Sequence, residues 1–351
     1  MGQVTIKDIA RRLKLSPSTV SRALRDHPDI SPATKDRIRA LAVQIHYQPN
    51  NIAKSLQTRR STTIGVIVPE IRYDFFANTI SGIEEEAHRA GYSIIVAQSN
   101  ERYQQEVRNT EAMIANRVAG LLVSVSQETN DAAHLESVIR QGIPMVLFDR
   151  TIDIPAAGKV VVDDHDGAYA AVAHCIRCGC RRIAHLAGSQ CLSIGRHRRT
   201  GYEQALKDHG LPVDTRLVVA GGGQESDGRS GAKTLMDSTD PPDAIFAFND
   251  PVAIGAHVYL KETGWRIPED IALVGFSNNP VTALIEPPLT TVNQPAHEIG
   301  RTAAGLLLKQ LEDNRTALTA EIRILKTDLI VRQSTCGHPN DFSEEKCHGG
   351  S

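Results

Sequence analysis

Ser18 and Arg22 stand one helical turn apart in the run SPSTVSRAL, with Ser21 beside them. Hydroxyls donate and accept, and a guanidinium presents a fork of N–H donors that matches the two acceptors on a guanine edge. That is recognition chemistry, not turnover. Two other groupings compete. His174, Cys175, Cys178, Cys180 and His185 include a CxxC spacing whose soft ligands can bind zinc, but there is no second CxxC to complete the set. Gly221, Gly222 and Gly223 follow LVVA, yet lack the GxGxxG spacing and acidic partner of a dinucleotide turn. No Ser/His/Asp or paired-carboxylate set falls in one cleft. Neither an enzyme nor a metal or other cofactor is expected.

The elements that must hold Ser18 and Arg22 are two short helices. Ile6, Ile9, Ala10 and Leu13 recur at helical spacing between Lys7, Asp8, Arg11 and Arg12, with Thr5 placed to cap the helix start. A second helix opens with Ser16 as cap and Pro17 at the first position, where a missing N–H costs nothing, and turns Val20, Ala23 and Leu24 inward. The connection is tight enough for a helix-turn-helix. Lys14 falls where such a turn needs positive φ, at a cost of about 1 kcal/mol. A third helix over 32–45, with Ile38, Leu41, Ala42 and Ile45 inward, closes a small core. The bland alternative is a plain amphipathic hairpin.

Charge favours the recognition reading. Residues 1–60 hold twelve Lys or Arg against four Asp, a net +8, which leaves −10 for the rest of a chain whose total is −2. A basic head on an acidic body confines polyanion binding to the head. The N-terminal residues have no apolar run of the signal-peptide kind, and no eighteen apolar residues run together. Six cysteines scattered through 351 residues do not form a secreted disulfide framework, so a reducing, cytoplasmic setting is expected.

From Thr63 short apolar runs alternate with amphipathic helices: IGVIVP, YSIIVA, AGLLVS and PMVLFD, then KVVVDD, RRIAHLAG, AIFAFND and IALVGF. This is a βαβ array in two doubly wound lobes, with ligands expected at the carboxyl ends of the strands. The domains read as 1–49, an all-α helix-turn-helix head; 50–61, a linker with helical potential in 51–56; and 62–333, a two-lobed α/β body. The lobes divide as roughly 62–160 with 291–320 and 161–290 with 321–333, and 334–351 reads as a disordered tail.

The runs STVSRAL, IHYQPNNIAKSL, VLFDR, FAFNDPVAIGA and LVGFSNNP, in this order, make the chain resemble the lactose-repressor (LacI/GalR) family of bacterial transcription factors. The resemblance extends from VTIKDIA to DLIVRQS. It implies a homodimeric repressor that binds a pseudo-palindromic operator in double-stranded DNA. Pro17, Ser18 and Arg22 would meet base edges, while Thr5, Ser16, Thr19, Ser21 and Asn50 would make phosphate or positioning contacts. IAKSL matches the family's hinge helix, with Leu56 wedged into the minor groove beside Ala53.

The body then resembles periplasmic sugar-binding proteins: two lobes joined by three crossings, with a carbohydrate-like small-molecule effector between them. The resemblance places effector contacts at Phe75, Phe76, Ser124, Asp149, Arg196, Asn249 and Ser277. Ser277 departs from the pattern, since many members have Asp there, and no aromatic residue stands near Ser226, where several have one. One alternative keeps the fold and replaces the small molecule with a phosphorylated carrier protein docking on the first lobe. A Rossmann-type enzyme is the other.

Overall fold

The chain divides at Thr62 into two units, each with its own core. The computed structural model describes residues 4–45, 47, 61–312 and 320–335. In the first unit the helices are α1 (Ile6–Leu13), α2 (Pro17–Leu24) and α3 (Pro32–Gln44). Asp8 Oδ2 accepts from the Thr5 amide at 2.9 Å and from its hydroxyl at 2.7 Å, and Ser16 Oγ accepts from the Thr19 amide at 3.0 Å. These contacts satisfy N–H groups that a helix start leaves open. Lys14 is left-handed at φ 55°, and the next amide, Leu15, donates to Ala10 O at 2.9 Å, closing α1. Ile9, Val20, Ala23 and Ile38 are fully buried at the centre, and Ala10 and Ala42 let the helices approach.

The second unit holds two six-stranded sheets. The first has the order β11-β5-β4-β3-β1-β2, from Ile322–Leu325, Gly158–Val162, Met145–Phe148, Gly120–Val123, Thr63–Val68 and Ser93–Gln98. The second has the order β12-β10-β9-β8-β6-β7, from Asp328–Ile330, Thr290–Asn293, Ala272–Ser277, Ala244–Ala247, Ile183–Ala187 and Val218–Ala220. Every pairing is parallel except β10 with β12. Helices cover both faces, so β1 is buried on both sides and reads as a continuous apolar run instead of an alternation.

The first sheet is covered by α4 (Asp74–Arg89), α5 (Tyr103–Ala115), α6 (Ala133–Arg140) and α11 (Ala296–Glu312); the second by α7 (Asp164–Arg177), α8 (Ser193–Asp208), α9 (Glu225–Met236) and α10 (Asp250–Glu262). α9 and α10 touch backbone to backbone, since a Cβ on Gly228 would lie 1.9 Å from Val252 O.

The chain passes between the sheets three times: after β5, after β10 and between β11 and β12. The lobe boundaries read from sequence need correction here. Residues 290–293 belong to the second sheet and 322–325 to the first, and β5 runs two residues past the expected break at 160. Apolar patterning finds a strand but cannot say which sheet it joins. The fold also continues past 333. Ser334 Oγ donates to Leu273 O at 2.6 Å, its backbone receives the Leu273 amide at 2.8 Å, and Thr335 meets His174 at 2.8 Å.

Candidate functional site

On α2 the exposed side chains are Pro17, Ser18 and Arg22, with Thr19 and Ser21 half-buried beside them. Ser16 Oγ lies 2.7 Å from Ser18 Oγ and 2.8 Å from Thr19 Oγ1, so one capping hydroxyl orders two neighbours. Arg22 is 60 % exposed and, among the described residues, its ion pair is with Asp29 at 3.9 Å, which leaves most of its donor fork open to solvent. Thr5, also exposed, stands at the start of α1. Asn50, Ala53 and Leu56 lie outside the described residues.

In the body a cleft opens between the two sheets, at the carboxyl ends of the strands. Tyr73, Phe75 and Phe76 follow β1, Asp149 and Arg150 follow β4, and Phe248 and Asn249 follow β8. Ser277 ends β9, and Gln294 sits in the crossover after β10. Of the effector positions expected from sequence, the cleft gathers Phe75, Phe76, Asp149, Asn249 and Ser277.

Ser124 and Arg196 are not among its walls. Ser124 is fully buried with a hydroxyl that finds no partner among the described residues. Arg196 is exposed, and its Nη1 donates to the carbonyls of Gln190 and Cys191 at 3.0 and 2.6 Å.

The arginine that α8 brings to the cleft is Arg198. α8 begins at Ser193, and its inner stripe runs Ile194, Arg198, Gly201, Tyr202, Ala205. That stripe was the missed signal: Arg198 holds a core position between apolar residues. Its side chain is 2 % exposed, with Nε and Nη2 reaching Asp164 Oδ1 at 2.8 and 2.7 Å and Nη1 donating to Phe248 O at 2.7 Å. The guanidinium stacks 3.7 Å from the Phe276 ring centroid and 4.9 Å from that of Phe248.

A second paired charge faces it. Arg150 Nη1 reaches both Glu101 oxygens at 2.8 Å, and Glu101 Oε2 also accepts from the Gln127 amide at 2.9 Å. Asp149, left-handed at φ 58°, is buried; burial pushes its carboxyl up to about 6 against the pull of Arg150 and Arg198. Asn249 caps α10, accepting from the Val252 amide and donating to Gly223 O. Tyr73 Oη donates to Gln224 Oε1 at 2.5 Å, joining the first lobe to the second across the cleft mouth. Sequence reading missed Tyr73, Glu101, Gln224 and Gln294, which carry no local motif, and Arg150, although the VLFDR run contains it.

The Cys/His group divides into unrelated environments. Cys175 is buried among apolar residues, Cys178 is disulfide-bonded, and His185 stacks on Phe246 with ring centroids 4.9 Å apart. Among the described residues no three His, Cys, Asp or Glu side chains gather to hold a metal.

Two family models match the chain: "Bacterial regulatory proteins, lacI family" over residues 5–50 and "Periplasmic binding protein-like domain" over 172–335. The HTH-type transcriptional repressor CytR of Escherichia coli (strain K12) is 34% identical over 338 residues, 95% of this chain and 97% of that protein. Catabolite control protein A of Priestia megaterium is 31% identical over 336 residues, 95% of this chain and 99% of that protein. Among solved structures, the transcriptional regulator CelR–cellobiose complex superposes with TM-score 0.73 at 28% identity, covering 95% of this chain and all of that one. The lac repressor dimer bound to operator and an anti-inducer superposes at TM-score 0.85 and 24% identity over the same shares, which shows likeness of fold.

Proposed function

Since the chain belongs to the lacI family of bacterial regulatory proteins, and is a DNA-binding transcriptional regulator and not an enzyme, we propose that an uncharged, carbohydrate-like effector in the cleft switches its operator affinity. The observation that carries this reading is charge pairing inside the cleft. Arg198 is neutralised by Asp164 and Arg150 by Glu101, so an anionic ligand would have to break a buried ion pair to gain a cation. A neutral polyhydroxy ring instead meets the Asp149 carboxylate and amide groups such as Gln224, with Phe75, Phe76 and Phe248 against its apolar face.

The DNA side follows from the exposed α2 face. A homodimer places two such faces on the half-sites of a pseudo-palindrome in the cytoplasm, and effector binding changes which arrangement of the two is favoured. A thermal-shift panel of neutral sugars, sugar phosphates and nucleobases, followed by operator titrations with whatever binds, tests the reading. Neutral sugars that raise the melting temperature and shift operator affinity support it. Binding by sugar phosphates alone, or a response only to a phosphorylated protein, defeats it.

A further inference from the structure

Three consecutive residues at the end of β9 alternate in direction. Ser277 and Asn279 line the cleft, and Asn278 between them does not. The backbone there is strained: Ser277 has φ 124° and Asn278 φ 54°. Such conformations persist only where the surroundings over-determine them.

Two groups outside the cleft wall supply that constraint. Asp250, fully buried at the start of α10, accepts the Asn279 amide on Oδ2 at 2.6 Å and the Thr291 hydroxyl on Oδ1 at 2.6 Å. Thr291 Oγ1 in turn accepts the Asn278 amide at 3.2 Å. One carboxylate thus fixes two successive amides, directly and through a hydroxyl. Its seat is cut to size, because a Cβ on Gly275 would stand 2.1 Å from Asp250 Oδ1.

Arg332 grips the other end of Asn278. Its Nη2 donates to Asn278 Oδ1 at 2.7 Å, and its Nη1 donates to Leu289 O at 2.7 Å and to Thr282 Oγ1 at 3.0 Å. Asn278 Nδ2 donates to Asn293 Oδ1 at 3.1 Å, so both ends of the amide are held. Arg332 is itself anchored through its backbone to Thr290 Oγ1, at 2.9 and 3.1 Å.

We propose that Asp250 and Arg332 are positioning residues for the effector cleft. Pulling Asn278 away from the cleft and pinning the amides of Asn278 and Asn279, they present Ser277 and Asn279 to the bound molecule. The cleft's outer support therefore includes the chain segment after β12. The effector role rests on the function proposed above, whereas the loop geometry can be tested without any ligand.

The test is amide hydrogen exchange on the full-length protein without ligand, comparing wild type with Asp250→Ala, Asp250→Asn, Arg332→Met and Gly275→Ala. Asp250→Ala, Arg332→Met and Gly275→Ala should each speed exchange at Asn278 and Asn279 at least tenfold, while β6 and β8 keep wild-type protection. Asp250→Asn should restore much of the protection, because its amide oxygen can still accept the Asn279 N–H while the Thr291 hydroxyl turns to accept from the new NH₂. Unchanged exchange at 278–279, or equal acceleration throughout the second sheet, would overturn the assignment. Titrating the wild type and the Arg332→Met variant with D-ribose and with cellobiose then separates the two claims. If neither these two nor any other neutral sugar of the panel binds wild type while the exchange pattern holds, the carbohydrate reading fails and the positioning assignment stands.

Discussion

The guanidinium of Arg198 lies 3.7 Å from the centroid of the Phe276 ring and 2.7 Å from an Asp164 oxygen, so one cation is both stacked and neutralised before any ligand arrives. Charge, ring and carboxylate come from three different elements of the second lobe.

Replacing Arg198 with Ala strands Asp164 as a buried, unpaired carboxylate and should cost about 3–5 kcal/mol of stability. Arg198→Lys keeps the charge but loses the planar fork. It should fold, retain operator affinity and lose most effector response in operator titrations. Arg196→Ala, outside the cleft, should keep that response; loss of response there would return the effector contact to Arg196.

Asp149 carries a pH signature. Its folded carboxyl titrates near 6, above the ordinary 3.8, so its neutral form is the one that suits the fold. The stability it contributes is complete below the unfolded value and is lost as pH rises through 6, a difference on the order of 3 kcal/mol. Urea denaturation followed by the single Trp265 should show Asp149→Asn more stable than wild type at pH 8 and nearly equal to it at pH 4. Asp250, also raised to about 6 by burial, should leave a residual pH dependence in that variant.

Arg22→Ala should weaken specific operator binding by about 1–3 kcal/mol and relax the preference at one base pair, with non-specific affinity little changed. Gel-shift competition at two salt concentrations checks it. A uniform loss across all sequences would make Arg22 a phosphate contact.

Lys14→Gly should relieve the left-handed strain at φ 55° and stabilise the head by up to about 1 kcal/mol. Amide exchange of α1 and α2 in the full chain reads it out, as slower opening in the variant.

The helix-turn-helix was legible because its signals are local. Thr5, Ser16, Pro17 and the positive φ at Lys14 are each decided within one or two turns, and the structure places all four as read. In the body, the strand runs were legible for the same reason. Sheet membership of β10 and β11 was not: β11 pairs with β5, more than a hundred residues earlier, and β10, close in sequence to its neighbour β9, carries no local signal of the sheet it joins. The resemblance implied Arg196, whereas Arg198, two residues on, is the arginine on the inner stripe of α8; packing against the sheet, which the local run does not encode, sets that register.

The interleaving of the two sheets sets the order in which the protein can be made. During synthesis the first sheet waits for β11, which leaves the ribosome after all but one strand of the second sheet has been translated. N-terminal-first folding, usual for separate domains, is closed to the two lobes. A transcript truncated anywhere before β11 yields no finished lobe at all, whereas the helix-turn-helix, complete by Gln44, can form hundreds of residues earlier. A messenger cut short therefore produces DNA-reading heads without a working sensor.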